Sequence, residues 1–378
     1  MTNEKILVVS LVEAMVRGKE IHITEQEWKN LNSSFSKDEI KEMISDAIED
    51  NDLPMPLRKI TKADAKKAFS ELQSLYSLNV ISNEGWFTRY DYKYKPTAPV
   101  LFSTTKIGNK ASDFYQQYNR FLCDSINAPS PHRSWTIKKF RLTLLNALWT
   151  LKQTEVNPKV LRSCIALRKY IASQFRPATA KAVYDYFGAK DVLDFSSGWG
   201  DRLCGFLASD TSSYVGIDPN ERLFSGYTRM IDDFNVPKKR VEMFNSCAED
   251  VVLGDREFDL VFTSPPYFNI ERYTQEDNQS FKKYRKLENW LNDFLFKAID
   301  LSWKHLKSKG HLVLNISDVY SNHTINKICD PMNDYISTLK GSKYVGCYGY
   351  QMMKRPNSGA LKGETGKFAE PMWVWKKT

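Results

Sequence analysis

Cysteine and histidine are scarce and scattered in this 378-residue chain. The six cysteines, Cys123, Cys164, Cys204, Cys247, Cys329 and Cys347, contain no CxxC pair, and the five histidines are equally dispersed. Such spacing offers neither a disulfide framework nor a zinc-binding cluster, so we expect a reducing compartment, cytosolic or nuclear, and no metal. No apolar run approaches the ~18 residues that would span a bilayer, and no membrane partner is expected. Met1 to Ser10 has an acidic residue before its short apolar stretch and no small-residue cleavage site, which predicts no signal peptide. Internal repeats and low-complexity tracts are also lacking. What remains is a globular composition, 42% hydrophobic, long enough for two domains.

Charge is present in excess and unevenly placed. The net charge is +9, yet Met1 to Ile60 carries 8 basic against 12 acidic residues, a net of −4. From Arg133 to Lys181 there are 11 basic residues against the single Glu155, a net of +10. A solvated helix face has this look, and so does a belt that attracts a phosphate backbone through counterion release; we expect a nucleic-acid partner.

The amino-terminal part reads as helical. Ser36 caps a predicted helix through Asn51, with Ile40, Met43, Ile44 and Ala47 at helical spacing. After the Leu53-Pro54-Met55-Pro56 break, Thr61 opens a second, with Asp64 at its third position. The pair fits ordinary packing or a small DNA-reading module. Trp86 to Pro96 (WFTRYDYKYKP) alternates as a strand would, with Tyr90, Tyr92 and Tyr94 on one face; it suits base stacking and hairpin packing equally. Helical spacing resumes over Asp113–Ile126, Ile137–Leu151 and Val160–Phe175.

A different regime begins at Phe175. A helix over about Ala178–Phe187 leads to the strand Asp191-Val192-Leu193-Asp194 and then to Phe195-Ser196-Ser197-Gly198-Trp199-Gly200-Asp201-Arg202. Glycines between strand and helix let backbone approach a ligand closely. The strand Ser213–Ile217 ends in Asp218, 24 positions after Asp194, where a doubly wound fold places a carboxylate for ribose hydroxyls. The loop lacks the third glycine of GxGxxG, and Asp201 would repel a pyrophosphate but favour a sulfonium. S-adenosylmethionine is therefore the expected cofactor. The apolar run Phe258 to Phe262 fits a buried parallel strand, stopped by Thr263-Ser264-Pro265-Pro266-Tyr267, because neither proline can donate to a ladder.

DFSSGWGDR, GIDPN and TSPPY, in this order, resemble the motifs of the S-adenosylmethionine-dependent DNA amino-methyltransferases, which methylate cytosine N4 or adenine N6. The resemblance covers about Phe175 to Asp318 and the carboxyl-terminal strands. It implies an α/β fold: a Rossmann-like seven-stranded sheet whose last strand is antiparallel, closed by a hairpin of Gly346–Met352 and Pro371–Lys376. It also implies that Phe175, Arg176, Pro177 and Thr179 meet the methionine end, and that Asp194, Ser197, Gly198 and Gly200 surround methionine and ribose. Asp218 and Pro219 would hold ribose, with Cys247, Ala248 and Glu249 beside adenine. The expected division is a mainly helical domain at 1–130, a basic helical connector at 131–174 and the methyltransferase domain at 175–378.

The chemistry gives the contiguous turn its sense. An aryl amine is a poor nucleophile because its lone pair is delocalised; acceptors such as the Ser264 hydroxyl and the Pro265 carbonyl would orient it, with Pro266 stiffening the turn. Tyr267 or Phe268 would stack on a base extruded from DNA. No cysteine follows a proline, which argues against methylation at the cytosine ring carbon. Leu260 lies only 66 positions after Asp194, too close for a target-recognition region between them. Recognition then falls to the amino-terminal half with Lys138, Lys139 and Arg141, to the loop holding Arg272, Lys282, Lys283 and Arg285, or to Lys354 and Arg355. Serine at 264 favours cytosine N4. Adenine N6, an RNA or small-amine target, and a nucleic-acid-binding protein without catalysis remain the alternatives.

Overall fold

Short β-branched and aromatic runs bounded by glycine or proline form the strands of one ten-stranded sheet. They are β1 (Ile81–Ser82), β2 (Trp86–Phe87), β3 (Leu101–Phe102), β4 (Asp191–Asp194), β5 (Ser213–Asp218), β6 (Arg240–Asn245), β7 (Phe258–Thr263), β8 (Leu306–Asn315), β9 (Ser342–Gln351) and β10 (Lys367–Lys377). This computed structural model describes residues 13–95, 99–235, 239–321, 323–352 and 366–378. The strand order is β1-β3-β9-β10-β8-β7-β4-β5-β6, with β2 paired to β10 off this path.

β4 to β8 are mutually parallel, in registers such as Leu193↔Val215, Leu260↔Val192 and Phe262↔Val313. β10 enters antiparallel between β8 and β9, pairing Val374 with Val313 and Glu370 with Tyr350. The seven strands from β6 to β9 are thus the Rossmann-like sheet the resemblance implied, with its closing hairpin in place. Parallel neighbours need crossovers, and helices Asp201–Ala208, Phe224–Phe234 and Phe296–His305 supply three. The order reverses between β4 and β7, which opens a crevice at the carboxyl ends of these strands. Asp194, Asp218 and Thr263 end there. Because β10 runs the other way, its beginning, with Glu370, reaches the same edge.

The core follows from the strands. Phe258, Leu260, Val261 and Phe262 of β7 are at most 2% exposed, covered on both faces. Each such side chain contributes about 1.5–3 kcal/mol on burial. Among the described residues no helix is long and apolar enough to cross a membrane.

Two compact units emerge, one of Met1–Lys59 with Arg120–Ala172 and one of Ile60–Asn119 with Ser173–Thr378. The boundaries expected at 130 and 174 are therefore redrawn. The reason is edge pairing: β3 hydrogen-bonds to β9 and β2 to β10, which draws residues 60–119 into the sheet's unit. Helices Lys37–Asp50 and Lys62–Gln73 are capped by Ser36 and Thr61 as expected. They fall in different compact units.

In the first unit, Ile40, Ile44 and Met43 pack with Trp135, Leu144, Leu148 and Ile165. The helix expected over Ile137–Leu151 is two, Lys138–Leu145 and Ala147–Thr150. Pro158 starts a helix rather than interrupting one, being the first residue of Pro158–Arg168 behind the Asn157 cap. The helix expected over Asp113–Ile126 spans Asn109–Phe121.

In the sheet's unit, the described part of the Trp86–Pro96 stretch, residues 86–95, is a strand only at Trp86–Phe87. Its three tyrosines do share a destination: Tyr92 packs edge-on to Trp373, Tyr94 against Tyr344 and Trp375, and Tyr90 against the same core. They cover the sheet and are not presented for base stacking.

Helices Pro177–Phe187 and Asp201–Ala208 touch so closely that a Cβ at Gly205 would lie 2.7 Å from both Ala180 Cβ and the Pro177 carbonyl oxygen. We expect Gly205→Ala to destabilise the protein by about 1–3 kcal/mol, seen as a lower urea midpoint. An unchanged midpoint would contradict this packing.

Candidate functional site

The loop after β4 is shaped by a buried charge pair. Asp194 is 0% and Arg202 5% exposed at the side chain, and Arg202 donates through Nε at 2.8 Å and Nη2 at 3.2 Å. The Tyr214 hydroxyl adds a third donor at 2.6 Å, and Arg202 also donates to the Ser196 carbonyl. Asp194 was expected to face a cofactor. Its carboxylate is instead enclosed and fully bonded, so its role at the crevice passes through the loop it holds.

That loop turns through Gly198 and Gly200, at φ 57° and 72°, a region that favours glycine. A Cβ on Gly198 would have only the Ser196 carbonyl oxygen near it, at 3.8 Å, so space lies open there. The Gly198 amide donates to Asp218 Oδ2 at 2.8 Å, and the Asn220 amide to Oδ1 at 2.9 Å. Burial pushes the Asp218 carboxyl up to about 7 against these two donors, which pull it down. Ser197 is tied to β5 by its amide on the Ile217 carbonyl, and the Tyr227 hydroxyl donates to the Gly198 carbonyl. Trp199 is 8% exposed and donates to the Ser173 carbonyl at 3.1 Å. Asp201 heads its helix and accepts from Ser112 and Gln174.

Phe175, Arg176, Pro177 and Thr179 border this region from the start of helix Pro177–Phe187. Phe175 stacks on Tyr350 at 4.7 Å and lies under the Arg202 guanidinium. Thr179 Oγ1 is buried without a protein partner. Cys247 and Ala248 are buried at the turn after β6. Glu249 there accepts from Lys283 at 2.8 Å and Tyr284 at 2.9 Å, while its Oε2 is buried and unpartnered.

The loop from Asn269 to Leu287 was one of three places expected to supply recognition, and much of it straps across these turns. Asn278 donates to the Pro219 carbonyl at 2.9 Å and its own carbonyl accepts from Cys247 at 3.3 Å; Tyr273 meets Trp199 edge-on at 5.6 Å. Lys283 bridges Glu249 and Asp250, and Lys282 is bound to Gln275 and Asp277. These two cations are committed within the protein, which corrects their assignment. Arg272 and Arg285 are exposed.

At the end of β7, Pro265 is buried while Ser264, Pro266 and Tyr267 are partly exposed. The Tyr267 hydroxyl donates to Glu370 at 3.0 Å and lies 3.5 Å from the Asn315 carbonyl. Burial, with the neighbouring Glu370 carboxylate, holds this phenol well above its ordinary pKa. Phe268 is 5% exposed and packs on Trp290 at 5.9 Å, so it does not stack on a base. Asp318 accepts from the amides of Ile328 and Cys329 at 2.8 and 2.9 Å.

Three residues of the basic belt, Arg133, Lys138 and Arg141, pair with carboxylates of the first unit. Arg141 is 2% exposed, donating to Ser45, Trp135 and Glu49, so it does not bind nucleic acid. Lys138 and Lys139 are both exposed, and Lys138 pairs with Glu42 and Asp46. Lys354 and Arg355 lie outside the described residues.

Glu370, Tyr350 and Arg202 are the members of the site not anticipated. Arg202 stood within the DFSSGWGDR run and could have been paired with Asp194. Glu370 carries no local signal, since strand pairing alone brings it to Tyr267, 103 positions away.

No protein-family model matches the sequence, and the comparison with curated proteins likewise gives no match. Solved structures with a similar fold include TrmN from Thermus thermophilus, at 14% identity, 56% of this chain, 51% of that chain and a TM-score of 0.36. An rRNA methylase from Streptococcus thermophilus matches at 14% identity, 55% and 99% coverage and a TM-score of 0.33. An S-adenosylmethionine-dependent O-methyltransferase from Thermotoga maritima matches at 10% identity, 57% and 70% coverage and a TM-score of 0.36. The match with TrmN spans about half of that protein's length. Likeness at this level carries no argument about activity.

Removing one partner of the Asp194–Arg202 pair leaves a buried, unpaired charge. Arg202→Met should cost about 3–5 kcal/mol in chemical unfolding. A cost under about 1 kcal/mol, the range of an exposed pair, would show that Asp194 finds water or another donor.

Proposed function

We propose that the chain transfers a methyl group from S-adenosylmethionine to the exocyclic amine of a nucleic-acid base, with cytosine N4 of DNA as the favoured target. The observation that carries the reading is the meeting, at one sheet edge, of the Gly198–Asp218 cradle and the Ser264–Tyr267 turn.

The donor set fits this cofactor. Asp218 offers carboxylate lone pairs to ribose hydroxyls beside the open space over Gly198. Asp201 occupies the first helical position after the loop, where a dinucleotide would bring its pyrophosphate to a carboxylate. A sulfonium suits that field, and the bound cofactor would supply an electrophilic methyl group. Ser264 and the Pro265 carbonyl accept from the amine hydrogens and aim its lone pair, while the Tyr267 ring supports the base. The serine and the family resemblance favour cytosine N4 of DNA.

Calorimetric binding of S-adenosylmethionine, then mass analysis of nucleosides from treated DNA and RNA, tests this reading. N4-methylcytidine in RNA, or methylation of a small amine alone, would replace the DNA target. Ser264→Ala should lower turnover about 100-fold while cofactor affinity stays nearly intact. Loss of affinity instead would mean that the turn belongs to the cofactor site.

Asp218 sets a pH dependence. Its carboxyl is raised to about 7, and hydroxyl donors favour the ionised form. Cofactor uptake near neutrality should therefore release a proton, and affinity should rise as pH goes from about 6 to about 8. Calorimetry in buffers of different ionisation enthalpy reads the proton directly; proton uptake would contradict the assignment.

A further inference from the structure

An exocyclic amine can be methylated only after its base leaves the duplex, and the stacking the base gives up has to be replaced. Resting on the amine-methylation reading above, we propose that the hairpin of strands Val319–Ser321 and Thr324–Asn326 is a wedge for duplex DNA. Tyr320 and Ile325 enter the stack beside the target base, and Lys327 meets the phosphate backbone.

Placement carries the first part of the argument. β7 and β8 are parallel neighbours, with Thr263 opposite Leu314, so the Ser264–Tyr267 turn and the chain after Asn315 emerge side by side at one sheet edge. The Asn315 carbonyl lies 3.5 Å from Tyr267 Oη. Tyr320 follows five positions later, within about 18 Å of that contact even for a fully extended chain.

The hairpin is also held at both ends. Trp373 Nε1 donates to the Ile316 carbonyl at 3.0 Å, and the Asp318 amide donates to Tyr92 Oη at 3.2 Å. The Asp318 carboxylate accepts from the amides of Ile328 and Cys329, which closes the base. Asn326 Nδ2 donates across the hairpin to Ser321 Oγ at 2.9 Å. A two-stranded hairpin alone is marginal in water, so this bracing is what lets it press between bases.

What it presents is apolar and without negative charge. Val319 and Ser321 are buried, while Tyr320 and Ile325, paired across the strands, are 57% and 47% exposed. Residues 319–327 include no acidic side chain, and Lys327 is exposed. Of the flanking acids, Asp318 is buried on its two amides and Asp330 accepts from the Lys93 amide at 3.0 Å. The Tyr320–Ile325 pair steadies the hairpin through mutual contact and leaves its outer face to a partner. Stacked bases between phosphates offer the matching surface, flat and apolar within and anionic outside, and aromatic stacking accepts any base.

The test reads contact before activity. In the full-length protein, p-benzoylphenylalanine placed at Tyr320 should crosslink to random-sequence duplex DNA, whereas the same group at the exposed Tyr186 should not. Tyr320→Ala should weaken duplex binding about 10-fold by fluorescence anisotropy, with recovery in Tyr320→Phe and S-adenosylmethionine affinity unchanged. Lys327→Ala should lower the slope of log affinity against log salt by about 1. At a mapped methylation site, a mismatch that already unpairs the target base should relieve most of the Tyr320→Ala defect. Duplex binding without a crosslink at Tyr320 overturns the contact and leaves the methyl-transfer reading standing. An equal defect on paired and mismatched sites overturns the wedge. Failure to bind duplex DNA, or crosslinking to RNA alone, overturns the proposal outright. A crosslink at Tyr320 in a protein that methylates neither DNA, RNA nor a small amine overturns the methyl-transfer reading, and the wedge with it.

Discussion

The crevice depends on a buried charge pair. Asp194 and Arg202 sit eight positions apart, one ending a strand and the other in the first turn of a helix, and their bonding fixes the loop between them. An ion pair in this setting adds little net stability over apolar packing, because desolvation offsets the attraction. What it supplies is geometry. With Arg202 also on the Ser196 carbonyl and Tyr227 on that of Gly198, the loop amides are pointed and Gly198 N–H is delivered to Asp218. The carboxylate that sequence motifs single out thus works by holding backbone, and Asp218 receives the amide that the loop presents.

Charge elsewhere shows that composition alone does not say which cations pair within the protein. The acidic amino-terminal segment and the basic stretch from Arg133 look like two surfaces with different appetites. Within the first unit they are one interface: Lys138 on Glu42 and Asp46, Arg141 on Glu49. Burial makes such pairing necessary for Arg141, since a guanidinium without partners there would be costly. The strap after the Ser264–Tyr267 turn repeats the lesson. Lys283, which looked ready for phosphate, closes on Glu249 and Asp250 and holds the segment over the turn after β6.

Much of the fold was legible from residue order. The hairpin of β9 and β10 was implied by the family resemblance, whereas helix caps at Ser36 and Thr61 and the strand Phe258–Thr263 rest on local pattern: a hydroxyl before a helix, or a short apolar run stopped by prolines. These signals are short-range and survive any tertiary arrangement. The Tyr90, Tyr92 and Tyr94 face was legible as a face, but its partner was not, because stacking on a base and packing on Trp373 and Trp375 ask for the same side chains.

The sequence by itself determined the order of a parallel α/β sheet, the glycine loop, Asp218 and a proline-stiffened turn after a buried strand. Each is a local chemical demand written in contiguous residues. Only the tertiary structure decided which charges remain available and which acceptor faces the phenol of Tyr267. It spent Arg141, Lys282 and Lys283 on internal pairs, and through an antiparallel last strand it brought Glu370 to within 3.0 Å of Tyr267. Strand pairing joins residues far apart in the chain, and nothing in the neighbourhood of either announces the contact.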